Sequence, residues 1–151
     1  MRKIYLAGSI STNPETYLWR ERVTEILKGE YILLNPAANP FNKELLKKYP
    51  DPEKFKKNAI RKSQGILITK DHQLVKESDI ILVNMALLTP EKPFIGTLYE
   101  LAWGWMYHIP VIAIVGDNWY CKHPFTEYTF TATVDTPEEA CDLIRYFFVE
   151  G

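Results

Sequence analysis

Four short apolar runs punctuate the chain, at residues 3–7 (KIYLA), 31–34 (YILL), 79–84 (DIILVN) and 110–115 (PVIAIV). None alternates polar with apolar, which is the signature of strands buried on both faces, as in a parallel sheet. A fifth run, 130–134 (FTATV), does alternate through its threonines and predicts an edge strand. Between these runs, apolar residues recur at helical spacing and predict helices near 15–28, 52–63, 70–78, 96–107 and 136–148. The last opens with Asp135 or Thr136 as a cap, Pro137 in the first turn, then Glu138 and Glu139. The stretch 35–52 (NPAANPFNKELLKKYPDP) reads as a long, partly helical excursion.

Strand and helix in alternation predict a single α/β domain over residues 1–151, with right-handed crossovers. The expected architecture is a flavodoxin-like or Rossmann-like three-layer sandwich around a five-stranded, mainly parallel sheet of order 2-1-3-4-5. Ligands of such sheets sit outside the strand carboxyl ends, where the order reverses, here between strands one and three. Gly8, Ser9 and Ser11 follow strand one, and Asn84 closes strand three. Asp71, expected at the start of the helix before strand three, and Glu100, in the first turns of the helix after Gly96, should face that same edge.

Composition narrows the function classes. A net charge of −1 does not advertise binding to nucleic acid or an anionic membrane. The lysines and arginines between residues 43 and 62 interleave with acids and read as a solvated face. Two cysteines, Cys121 and Cys141, lack metal spacing and fit free thiols. No apolar run approaches the ~20 residues of a membrane helix, and the N-terminal apolar stretch is too short for a signal peptide, so a cytoplasmic location is expected. No metal or organic cofactor is implied, because ligand clusters and dinucleotide glycine patterns are absent.

Glu100 then stands out, a carboxylate in the apolar run GTLYELAWGW with no basic residue one turn away. Near a helix N-terminus it would be stabilised as an anion, which suits a nucleophile. A second carboxyl able to move a proton completes the pair used to break glycosidic bonds. Tyr5 could orient Glu100, while the Gly8-Ser9 turn offers backbone N–H groups and a hydroxyl to sugar or phosphate oxygens. Each residue also has a plain structural reading: surface charge, helix cap, tight turn or core tyrosine. Arg20 reads as solvated, with a phosphate contact possible only if its helix face points inward.

Together, KIYLAGSIS, KDHQLVKESDIILVN, GTLYELAWGW and PVIAIVG resemble the nucleoside 2-deoxyribosyltransferase superfamily over most of residues 3–116. The shared pattern is an opening (I/V)Y(L/F)AG strand, the pair Asp71 and Asp79, and Gly96 four residues before Glu100. The superfamily includes transferases that exchange the base of 2′-deoxynucleosides and hydrolases acting on nucleoside 5′-monophosphates. The resemblance implies that Glu100 attacks C1′, Tyr5 positions it, and Asp71 handles the proton on the base. Ser9 and Ser11 would lie near the sugar 5′ end. A homo-oligomer is implied, with a neighbouring subunit completing the site through His123-Pro124-Phe125. Implied partners are a nucleoside or nucleotide and a free nucleobase. One departure is Phe94, where transferases of this kind usually carry Asp and the hydrolases Ser; it leaves recognition of the 5′ group unassigned. Trp103 and Trp105, on one short helix, are expected at a subunit contact.

Overall fold

The computed structural model describes residues 1–11, 13–38, 65–89 and 94–149. The predicted helix at 52–63 and all but the start of the 35–52 excursion lie outside these residues. Strands β1 (Lys3–Gly8), β2 (Ile32–Leu34), β3 (Ile80–Asn84), β4 (Val111–Ile114) and β5 (Ala132–Val134) form one sheet in the order β2-β1-β3-β4-β5. Every neighbouring pair is parallel. All five residues of β3 and all four of β4 are buried, whereas β2 and β5, at the edges, are half-exposed. Burial on both faces is why the central runs show no polar alternation.

Alternate residues of each strand enter separate cores. Ile4, Leu6, Ile80 and Leu82 pack beneath α1 (Glu15–Leu27) and α6 (Pro137–Phe147) through Trp19, Val23, Leu27 and Ile144. Tyr5, Ala7, Ile81 and Val83 pack on the other face beneath α2 (Ile66–Glu77) and α3 (Ile95–Met106) through Val75 and Leu101. The start of α6 closes as a reciprocal cap. Thr136 accepts from the Glu139 N–H at 3.1 Å, and the Glu139 carboxylate accepts from the Asp135 N–H at 3.0 Å.

Two local features depart from the pattern along the chain. Helix α2 begins at Ile66, ahead of the expected residue 70, after Gly65 in a left-handed conformation (φ 80°). The β-branched residues Ile66, Ile68 and Thr69 weaken local helical preference, which hides this first turn from a reading by propensity. Between β4 and β5 the chain forms two single-turn helices, α4 (Trp119–Lys122) and α5 (Pro124–Glu127), each too short to show a period.

Helix α3 lies unusually close to the sheet at Gly104. A Cβ there would stand 2.7 Å from Ile81 Cδ1. Because residues four apart share a helix face, this contact also turns Glu100 toward the sheet. Gly104→Val is expected to destabilise the fold by about 1–3 kcal/mol through overpacking, read as a lower urea midpoint at unchanged slope. A second change, Ile81→Ala, should recover part of the loss by opening the space; a stabilised Gly104→Val protein would refute the close approach.

Candidate active site

The site begins at the turn after β1. Gly8 has φ 145°, and a Cβ on it would lie 3.2 Å from the Asn84 carbonyl and 3.5 Å from Arg20 Nη2. Only glycine meets both the conformation and the space without strain. Beneath the turn lies Arg20, which is fully buried. Its Nε donates to the Leu6 carbonyl at 3.3 Å, Nη2 to Gly8 at 2.9 Å, and Nη1 to Ser9 at 3.2 Å and to Thr16. The guanidinium also stacks over the Trp19 ring, 4.8 Å from its centroid. The solvated arginine expected from the sequence is thus a buried one. Burial draws its pKa down to about 10, opposed chiefly by the Glu100 charge, so it stays protonated at neutral pH.

Tyr5, Glu100 and Asp71 come together at the carboxyl edge of the sheet. Tyr5 is fully buried in β1, and Glu100, on α3, is only 7% exposed. Asp71, on α2, is half-buried. The Tyr5 hydroxyl lies against the Glu100 carboxylate in a contact short of a well-formed hydrogen bond. Contacts of this kind commonly tighten when substrate occupies a site. Burial, and then the charges of Glu100 and Asp71, push the Tyr5 phenol far above its ordinary range. It therefore remains a protonated donor at any working pH. Both carboxylates belong to the α2/α3 side of the sheet, as the expected crevice requires.

One expected position shifts within its helix: Asp71 is the sixth residue of α2 rather than in its first turn, whereas Glu100, the sixth residue of α3, stands in the first turns as expected. The dipole effect fades within the first turn. The charge of Glu100 consequently depends on side chains around it more than on the helix end.

The remaining sequence-predicted residues divide by location. Ser9 contributes its carbonyl to Arg20, and the Ser11 hydroxyl accepts from the Asn13 N–H at 3.1 Å, closing the turn into α1. Asn84 is buried opposite Gly8 in the β1/β3 register, and its Oδ1 accepts from the Ala86 N–H at 3.0 Å. Gly96 is exposed, and nothing in the described chain occupies the space its side chain would fill. Phe94 is buried instead, with its ring 5.8 Å from that of Tyr120. His123 caps α5, with Nδ1 accepting from the Phe125 N–H at 3.2 Å and its ring against Trp119. Phe125 is 86% exposed and lines an apolar groove of about 710 Å³ with Leu98, Leu101, Trp105, Met106 and Tyr128. That groove is on the outer side of α3, away from the sheet-facing Glu100. Trp105 is exposed there, whereas Trp103 packs edge-on against His72.

Sequence reasoning read Arg20 as solvated and passed over Asn118. Arg20 had a readable signal, since Thr16, Arg20, Val23 and Leu27 form one buried helical stripe. Asn118 had a weaker one, as a cap residue before a short helix. Its Nδ2 donates to the Met85 carbonyl at 2.7 Å and its Oδ1 accepts from the Cys121 N–H at 3.2 Å, tying the chain after β4 to the end of β3.

No family model and no curated protein matches the sequence. Solved structures do match the fold. A 2-deoxyribosyltransferase from Bacillus psychrosaccharolyticus superposes with TM-score 0.60 at 15% identity, over 93% of this chain and 90% of that one. A CMP N-glycosidase from Clostridium botulinum gives 0.51 at 14% identity, over 96% and 99%. A 2-deoxyribosyltransferase from Leishmania mexicana gives 0.51 at 16% identity, over 76% of this chain and 66% of that one. The five-stranded parallel sheet, its 2-1-3-4-5 order and its flanking helices are thus a fold shared with these three solved structures.

Proposed function

We propose that the protein cleaves the N-glycosidic bond of a 2′-deoxynucleoside and transfers the sugar to a second base. The observation that carries this reading is the buried Glu100 carboxylate, set against Tyr5 and beside Asp71 at the sheet edge where a ligand would enter. A Glu100 oxygen attacks C1′ as the C1′–N bond breaks. The bonding pair leaves with the base nitrogen, which takes a proton from the Asp71 carboxyl. The incoming base then gives its proton back to Asp71 and attacks C1′, displacing Glu100 as a carboxylate. Two displacements retain the configuration at C1′. The Tyr5 hydroxyl orients Glu100 and stabilises its charge at the start and end of the cycle.

The sugar 5′ end would meet Ser9 and Ser11. A free 5′ hydroxyl suits this edge better than a phosphate. Arg20 has its donors on backbone carbonyls, and Phe94 is turned into the core. Incubation with a deoxynucleoside and a second free base should yield a new nucleoside. Free base alone would identify a hydrolase, activity on the 5′-monophosphate alone would move the phosphate into the site, and no reaction would leave a binding domain of this fold.

Glu100→Gln should abolish exchange while preserving the fold. A loss of ~3 orders of magnitude corresponds to roughly 4 kcal/mol of barrier. A slow substrate should leave a deoxyribosyl mass on the wild type and on Asp71→Asn, but not on Glu100→Gln. Near wild-type turnover in Glu100→Gln would reduce the glutamate to a structural charge.

The working form in this reading is a homo-oligomer, in which a second copy covers the groove between α3 and α5 and lends His123 and Phe125 to its neighbour. The exposed Trp105, Met106, Phe125 and Tyr128 support it, since an apolar surface of this kind marks an interface. Light scattering at micromolar concentration should give a multiple of 17.6 kDa. Phe125→Asp with Trp105→Glu should shift it toward monomer and lower activity together; a wild-type monomer would count against the shared site.

A further inference from the structure

We infer that His72 is a positioning residue of this site: its ring bridges α2 to α3 and fixes the rotation of α2 that presents Asp71 on the same edge as Glu100. The inference deepens the proposed function and rests on Asp71 moving the proton of the base.

Asp71 and Glu100 serve one substrate from two different helices, so the packing of α2 on α3 decides whether they meet the same bond. Helix α3 is firmly anchored. Gly104 sits against Ile81, and the Ile109 N–H returns to the Gly104 carbonyl at 2.9 Å after His108 turns the chain at φ 56°. Helix α2 is held less closely by the sheet. Of its twelve residues only Val75 is fully buried, with Leu74 half-buried beside it, and its first turn exposes Ile66 and Ile68. A helix normally packs through a broad stripe of apolar residues. So narrow a footing leaves the rotation of α2 to be set by other contacts.

His72 supplies such contacts. Its Nε2 and the Tyr107 hydroxyl are hydrogen-bonded at 2.6 Å, and its ring meets Trp103 edge to face with centroids 4.9 Å apart. Lys76, one turn further along α2, brings its Nζ to 5.8 Å from the centre of the Tyr107 ring. Trp103 on α3 and Tyr107 at its C-terminal cap are four residues apart and share one face, so α3 grips His72 at two points. Trp103 is itself braced by Tyr99, with ring centroids 5.9 Å apart. Consecutive residues of a helix point about 100° apart. With His72 turned to α3, Asp71 is turned to the sheet edge, where its charge acts on the Tyr5 phenol. A rotation of α2 that broke the His72 contacts would swing this carboxyl away from the leaving base, while Glu100 stayed in place on the anchored helix. His72 thus acts through Asp71 and touches no reacting atom.

Three variants probe the bridge. Tyr107→Phe removes one oxygen, His72→Leu removes the imidazole, and His72→Gln returns a polar nitrogen near the place of Nε2. Base release in a single turnover should fall roughly 10–100-fold in Tyr107→Phe and His72→Leu, because a small misplacement of a catalytic group is costly. KM should barely change, and His72→Gln should recover most of the rate. The deciding comparison repeats His72→Leu in an Asp71→Asn background. Action through Asp71 predicts no further loss there, whereas a merely structural His72 would cost the same factor again. That second result overturns the inference, as does a wild-type rate in Tyr107→Phe and His72→Leu.

Carbon-13 NMR of labelled aspartate reads the same link without turnover. The Asp71 carboxyl resonance, assigned by its loss in Asp71→Asn, should move in Tyr107→Phe and His72→Leu and return toward its wild-type position in His72→Gln. An unmoved resonance overturns the inference. Should His72→Leu not fold, Tyr107→Phe, which loses a single atom, carries both measurements. A wild type that releases no base would count against the proposed function, and the Asp71 resonance would then decide the role of His72 by itself.

Discussion

A buried cation under the first turn governs the rest of this architecture. Taking a guanidinium out of water is tolerated only where its donors and its charge both find partners. Arg20 finds donor partners in the Leu6, Gly8, Ser9 and Thr16 carbonyls, and its guanidinium stacks over the Trp19 ring. These carbonyls come from β1, the following turn and α1, so satisfying one side chain sets strand, turn and helix relative to one another. Gly8 is the steric condition for this, because any side chain there would crowd the Asn84 carbonyl on the neighbouring strand.

The parallel sheet converts that local arrangement into a site. Parallel order places all strand carboxyl ends on one edge, and the order reverses between β1 and β3, where sheets of this kind bind their ligands. Burial of both sheet faces then limits which side chains can enter it. Tyr5 reaches the edge from within the α2/α3 core, and Glu100 reaches it because Gly104 lets α3 settle onto Ile81. The low local dielectric keeps Tyr5 protonated and strengthens every charge around it, so three polar groups in an apolar wall act on one another strongly.

Helix α3 has two chemically distinct sides. Its inner side holds Glu100 and Gly104 against the sheet; its outer side exposes Trp105 and Met106 beside Phe125 and Tyr128. The structures that share the fold carry names for different reactions, 2-deoxyribosyl transfer in two cases and CMP N-glycosidic cleavage in the third. Substrate choice on a common scaffold resides in individual side chains. In this chain Phe94 packs on Tyr120 and Arg20 is engaged with the turn.

The sequence alone determined the strands, their parallel order and the edge at which Tyr5, Asp71 and Glu100 meet. Doubly buried strands leave unbroken apolar runs, and a right-handed crossover rule orders them. It also contained the α6 cap, since Thr136 and Glu139 act within one turn. Boundaries were less legible: the β-branched start of α2 concealed a helical turn, which moved Asp71 inward from the helix end. Only the tertiary structure decided the state of Arg20 and Phe94. Local pattern treats an arginine as solvated and leaves Phe94 open. Their burial depends on carbonyls and rings brought from distant segments, Leu6 and Gly8 to Arg20 and Tyr120 to Phe94.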